Sequence, residues 1–186
     1  MKERISEVCT QLKKVADNAL AEFGGFTPEQ LNWKPSEKEW SVAQCFDHLI
    51  VTHSLYFSMF ERFATGDTKM SFLEKTSPFS SFFGRFLIKG LDPKNLKKMK
   101  TTGKAAPSAS GIGGDIIQRF CDHQQQMINS FKKLPSDLDL TKQIVTSPLL
   151  GVVTYSLDDA FTFVPMHCVR HFDQAKRVTE MAGFPK

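Results

Sequence analysis

Apolar side chains recur every third or fourth residue along the first part of the chain, at Ile5, Val8, Cys9, Leu12, Val15, Ala16, Leu20 and Phe23. That spacing lays them along one face of an α-helix, so a helix is expected from Lys2 to Phe23, ended by Gly24-Gly25. Thr27-Pro28-Glu29-Gln30 has the signature of a short helix start, with Thr at the N-cap, Pro in the first turn and Gln three residues on. Ser41-Val42-Ala43-Gln44 is a second capping box. It opens a long helix whose stripe is Val42, Cys45, Phe46, Leu49, Ile50, Phe57 and Phe60, fading at Thr65-Gly66-Asp67. A third helix is expected over residues 114–134, with Ile116, Ile117, Phe120, Met127, Ile128 and Phe131 inward and Pro135 closing it. Ser156 caps a fourth, where Asp158 and Asp159 suit the positive end of the helix dipole. Its buried stripe is Leu157, Ala160, Phe161, Val164, Cys168, Phe172, Ala175 and Val178. Pro165 removes a donor to the Phe161 carbonyl and should bend the helix.

Residues 66–109 are the least regular part. The Phe-rich run 79–86 reads either as a short helix or as a strand-like plug. Residues 90–107, with Gly, Pro and many Lys, read as a long solvated connection. Connections of that length inside a compact domain tend to be functional or mobile. Residues 136–155 form another connection, with a short extended stretch around 143–146. There is no internal repeat and no strand pattern strong enough to build a sheet. The expectation is an all-α single domain over residues 1–186, a four-helix bundle with an irregular crossover insert (66–109) between helices two and three.

Composition narrows the class. The 186 residues, 41% hydrophobic and 24% charged, suit one globular domain with a full core. No stretch approaches the roughly 20 apolar residues of a membrane span. The charged start Met1-Lys2-Glu3-Arg4 is unlike a signal peptide, so a cytoplasmic protein without membrane association is expected. Seventeen Phe against two Tyr and two Trp suggest core filling, because Phe has no polar handle. Cys9, Cys45, Cys121 and Cys168 are scattered, with no Cys-x-x-Cys pair, which argues against a disulfide framework and against a Cys-rich zinc site. Net charge is +4, with much of the excess in residues 85–104. Without a nucleic-acid motif this reads as a solvated loop, and no nucleic-acid partner is expected. The Phe-rich insert offers a surface on which a homodimer could form.

The chemistry lies in Met166-His167-Cys168-Val169-Arg170-His171. On a helix, residues four apart stack on one face with Cβ atoms about 5–6 Å apart. Two neutral imidazoles so placed can share a divalent metal ion. Both lie on or beside the buried stripe, where an unmetallated ring needs its own hydrogen-bond partner. A third ligand is needed, and His48, His53 and His123 are the candidates. Periodicity slightly favours His53, which is mid-stripe where His48 is on the flank, but spacing does not choose. Asp47 is the nearest candidate for a general base, although a solvent-facing helix residue is the simpler reading. Cys168 as a nucleophile activated by His171 is outweighed by its reading as a small core residue. There is no Gly-x-Ser-x-Gly elbow, no phosphate-binding Gly-rich loop and no His-Glu-x-x-His.

Trp40-Ser41-x-x-Gln44-x-x-x-His48-Leu49 resembles the Trp-Ser-x-x-Gln-x-x-x-His-Leu element of the DinB-like superfamily, particularly its DinB_2 branch. Ser147-Pro148-Leu149-Leu150-Gly151, Ser156-Leu157-Asp158-Asp159-Ala160, His167-x-x-x-His171-x-x-Gln174 and the ending Gly183-Phe184-Pro185 resemble the same family's C-terminal half. The resemblance implies a four-helix bundle in which one His of the second helix joins the late pair around a divalent metal. The ligands are then His48, His167 and His171, with Gln174 orienting one of them from behind, and His53 becomes a core or pocket-lining residue. The metal implied is zinc or nickel, or else manganese or iron. The activity implied is that of a metal-dependent hydrolase or thiol-dependent transferase acting on a small molecule, with a low-molecular-weight thiol as a possible partner. A metal-binding bundle without catalysis, structural or stress-related, is the alternative. Three His ligands leave coordination positions open, the pattern of catalytic rather than structural sites.

Overall fold

The four periodic segments fold as helices. The computed structural model describes residues 1–95, 97, 101, 103–109 and 111–186. Its helices are α1 (Lys2–Phe23), α2 (Pro28–Asn32), α3 (Val42–Ser54), α4 (Phe57–Ala64), α5 (Phe72–Thr76), α6 (Ser80–Leu91), α7 (Ile116–Lys132) and α8 (Leu157–Thr179). The protein is thus mostly helical. Among the described residues no helix is long and apolar enough to cross a membrane. The caps read at Thr27, Ser41 and Ser156 are all formed, each as a full capping box, and Ser71 adds another at α5.

Helix α1 packs against α7 and α8, and α3 packs against the same two from the other side. Phe23, Phe46, Phe60, Phe120, Phe131 and Phe161 are fully buried between them. Ring centroids lie 4.9 Å apart for Phe46–Phe120, 4.7 Å for Phe60–Phe131 and 4.6 Å for Phe131–Phe161. Burying a Phe contributes roughly 2 kcal/mol or more, against about 1 kcal/mol for a cap. The aromatic core therefore holds the helices together, and the caps set where they begin.

Several expectations need correction. The second long helix is broken: Tyr56 N–H donates back to the His53 carbonyl at 3.0 Å, and α4 starts afresh. The buried Tyr56 hydroxyl lies 3.2 Å from that of Tyr155, a tertiary contact that helical periodicity does not announce. A small sheet does form. Strand β1 (Ile144–Thr146) pairs antiparallel with β2 (Thr154–Ser156), Val145 opposite Tyr155. Residues 79–86 are helical, inside α6, which packs on α8 and β2. The Phe residues are not all core: Phe72, Phe79, Phe82 and Phe86 are exposed.

Nor is the stretch 90–107 simply solvated. Leu91 ends α6, a 3-10 turn covers Gly103–Ala105, and Ala105 is buried. Residues 96, 98–100 and 102 of this stretch, and 110 beyond it, lie outside the described residues. From α8, the Arg170 guanidinium donates to the backbone carbonyls of Asp92 (3.2 Å), Asn95 and Lys97 (2.7 Å), tying this segment to the helix that carries the histidine pair. At the other end of α8, a Cβ on Gly84 of α6 would fall 2.2 Å from Oδ2 of Asp159. Only a glycine lets the two helices meet there.

Candidate metal centre

The capping box at Ser41 starts α3 so that His48 comes round, two turns later, toward α8. His167 and His171, one turn apart on α8, face it. The ligand atoms of the three imidazoles lie within 4.8 Å of one another, and all three residues are buried. His48 Nε2 and His167 Nε2 are 3.2 Å apart. Two ligands tetrahedrally disposed about zinc at about 2.0–2.1 Å would be about 3.4 Å apart. The spacing fits a shared ion.

The far sides of two rings are fixed. His48 Nδ1 lies 2.5 Å from the Ala105 carbonyl, with the Thr52 hydroxyl 3.3 Å away. A carbonyl only accepts, so Nδ1 carries the proton and Nε2 is left bare. His171 Nδ1 is 3.0 Å from Oε1 of Gln174, which accepts in the same way and leaves His171 Nε2 bare. Outer partners that fix the tautomer in this manner are the common accompaniment of metal-binding imidazoles. Burial lowers the pKa of all three rings; for His48 the Ala105 carbonyl and the Asp47 carboxylate pull the other way. They are neutral near pH 7, the form that binds a metal. By donor chemistry and spacing, the residues fit a divalent ion of the zinc type.

His53 and His123 are not in this cluster. His53 is almost wholly buried, with Nε2 3.1 Å from Nδ1 of His167. His123 lies against the Ser54 hydroxyl at 3.2 Å, and burial lowers its pKa to about 4. Asp47 departs from both sequence readings: it is buried, and its Oδ2 accepts the Ser108 N–H at 2.7 Å. It is neither a solvent-facing residue nor a base pointing at the cluster. Cys168 is buried, its thiol pKa pushed up by burial, and its neighbours are His53 Nδ1 (3.9 Å) and Gln124 Oε1 (3.7 Å) rather than His171. That matches the small-core-residue reading.

Two contributors have no role in the sequence pattern. Trp40 precedes the Ser41 cap and lies over the cluster, its ring stacked on His171 (5.6 Å, 24°) and tilted on His48 (4.9 Å). Its position before an N-cap, where an apolar residue commonly packs back on the helix, was the available signal. Ala105 had none, since a backbone carbonyl has no signature in sequence. The cluster opens into a cavity of about 730 Å³ with apolar walls from Leu87, Leu91, Leu149 and Phe163. The segment between α6 and α7 thus builds part of the chamber above the histidines. That volume lies in the range of small-molecule sites.

Compared with known families, residues 11–175 match the DinB superfamily (its DinB_2 model). No curated protein and no solved structure matches the chain.

Proposed function

The chain belongs to the DinB superfamily, and from that premise we propose that it is a divalent-metal-dependent protein acting on a small molecule, a hydrolase or a thiol-dependent transferase. The reading takes residues 1–186 as one four-helix-bundle domain built on α1, α3, α7 and α8, with His48, His167 and His171 as ligands. The observation that carries it is the convergence of three buried imidazoles at the floor of a cavity of about 730 Å³. Zinc or nickel suits an all-imidazole donor set best, and manganese or iron fits less well. Once bound, such an ion supplies Lewis acidity, polarising a carbonyl or favouring the deprotonated form of a water or thiol. The protein's own part is positional. Ala105 and Gln174 hold two ligand rings in the metal-binding tautomer, Trp40 shields one side, and the apolar walls take up the body of the substrate.

One observation favours the alternative of metal binding without catalysis. The acid beside the ligands, Asp47, is committed to the Ser108 N–H. A hydrolytic reaction here needs its base from the substrate, or from a group other than Asp47.

Elemental analysis of tag-free protein, followed by titration with zinc or nickel, tests the reading. One equivalent of metal is expected for the native chain, and at least a hundredfold weaker binding for His48→Ala. Native chain that takes up no metal overturns the proposal. Assays with small thiols and electrophilic acceptors, before and after chelation, then separate the two readings: turnover lost with the metal supports the enzyme, and no turnover supports the binding protein.

A further inference from the structure

Resting on that reading, we propose that His53 is the positioning residue of the metal centre, setting the tautomer of His167 through a relay of hydrogen bonds that reverses when the ion binds. The proton positions are set in sequence, starting from one carbonyl. His48 Nδ1–H donates to Ala105, so His48 Nε2 can only accept. Its neighbour at 3.2 Å, His167 Nε2, must then donate. In a neutral ring that leaves His167 Nδ1 bare, and it accepts from His53 Nε2–H at 3.1 Å. His53 Nδ1 is bare in turn and faces the Cys168 thiol at 3.9 Å. One arrangement gives each ring nitrogen from His48 through His167 to His53 a partner without metal, but it places a proton on the nitrogen His167 must offer as a ligand.

Loading the centre therefore requires the opposite arrangement. His167 carries its proton on Nδ1 and donates it to His53 Nε2, and His53 carries its own proton on Nδ1. Both rings stay neutral, and the two imidazole protons are relocated rather than lost. The surroundings accommodate this, because Cys168 has a second acceptor, Gln124 Oε1 at 3.7 Å, toward which its S–H can turn once His53 Nδ1 is protonated. His48 and His171 need no such change, since each already donates through Nδ1 to a fixed oxygen. His167 is the one ligand whose outer partner is itself a ring of two tautomers. The relay thus explains a fully buried histidine that the three-ligand set leaves without a task.

The test uses the native chain, two variants and zinc. Long-range ¹H–¹⁵N spectra of the native protein should show His53 protonated at Nε2 without metal and at Nδ1 with one equivalent of zinc. His53→Leu should bind zinc about 10–100-fold more weakly, the usual effect of removing an outer partner. His53→Gln, whose amide both donates and accepts, should recover most of the loss while unmetallated stability of both variants is followed by circular dichroism. An unchanged His53 tautomer on loading, or native affinity in His53→Leu, overturns the relay while leaving the three-ligand reading intact. If His53→Leu does not fold, the spectra of the native chain and the affinity of His53→Gln still decide. A native chain that binds no zinc overturns both.

Discussion

The indole of Trp40 lies nearly parallel to the imidazole of His171, centroids 5.6 Å apart, and its other neighbour is the ring of His48. One of the chain's two tryptophans is thus in contact with two of the three proposed ligands.

This contact gives a direct optical readout. Nickel or copper bound at the centre should quench the emission of Trp40 strongly. The other tryptophan, Trp33, packs on Phe184 and should be little affected. Trp40→Phe should abolish most of the quenching while retaining metal affinity within a few-fold. Equal quenching in Trp40→Phe, followed by steady-state fluorescence titration, would place the metal elsewhere.

Acid should destabilise the unmetallated fold through His123. Burial lowers its pKa in the folded chain to about 4. In the unfolded chain it returns to about 6.5. Below pH 6.5 the unfolded chain takes up a proton that the folded chain refuses, so stability falls as pH falls. The loss approaches about 1.4 kcal/mol per pH unit until the ring protonates near pH 4. His53 is depressed in the same direction, first of all by burial. Urea unfolding of His123→Leu from pH 6.5 to 4.5 should give a slope shallower than the native one by about one proton. Parallel slopes would show that this ring does not contribute.

Gly84 should tolerate no side chain. The Asp159 carboxylate that a Cβ would strike is not free to move, because Oδ2 accepts from both the backbone N–H and the hydroxyl of Ser156 at the start of α8. Gly84→Ala should cost about 1–3 kcal/mol in thermal or denaturant unfolding. Adding Asp159→Ala should relieve part of that loss. Strict additivity of the two changes would rule out the clash.

What was legible in the sequence was local. The caps at Thr27, Ser41 and Ser156 are read from residues three apart, and the His167/His171 pair from residues four apart on one helix. The family resemblance is what proposes His48 as the third ligand. Periodicity leaned toward His53, and the structure shows why that lean was informative: His53 does face the cluster, one ring behind it. The distinction depends on which edge of α3 meets α8, a tertiary fact outside the repeat of either helix. The burial of Asp47 and the Ala105 contact are set by residues 61 and 57 positions away, on a segment whose composition reads as loop. Exposure of Phe79, Phe82 and Phe86 was illegible for a related reason. Residue type gives the affinity for a core, and packing decides which rings reach it.

His48 and His167 meet across 119 residues of chain. The donor set therefore does not exist on any fragment that ends before α8. During synthesis, His48 emerges long before its partners, and a chain stalled short of residue 171 lacks at least one donor. An ion captured at these three rings would then report that α3 and α8 have been brought together. Such an ion, at a hundred times its dissociation constant, would stabilise the folded form by about 2.7 kcal/mol.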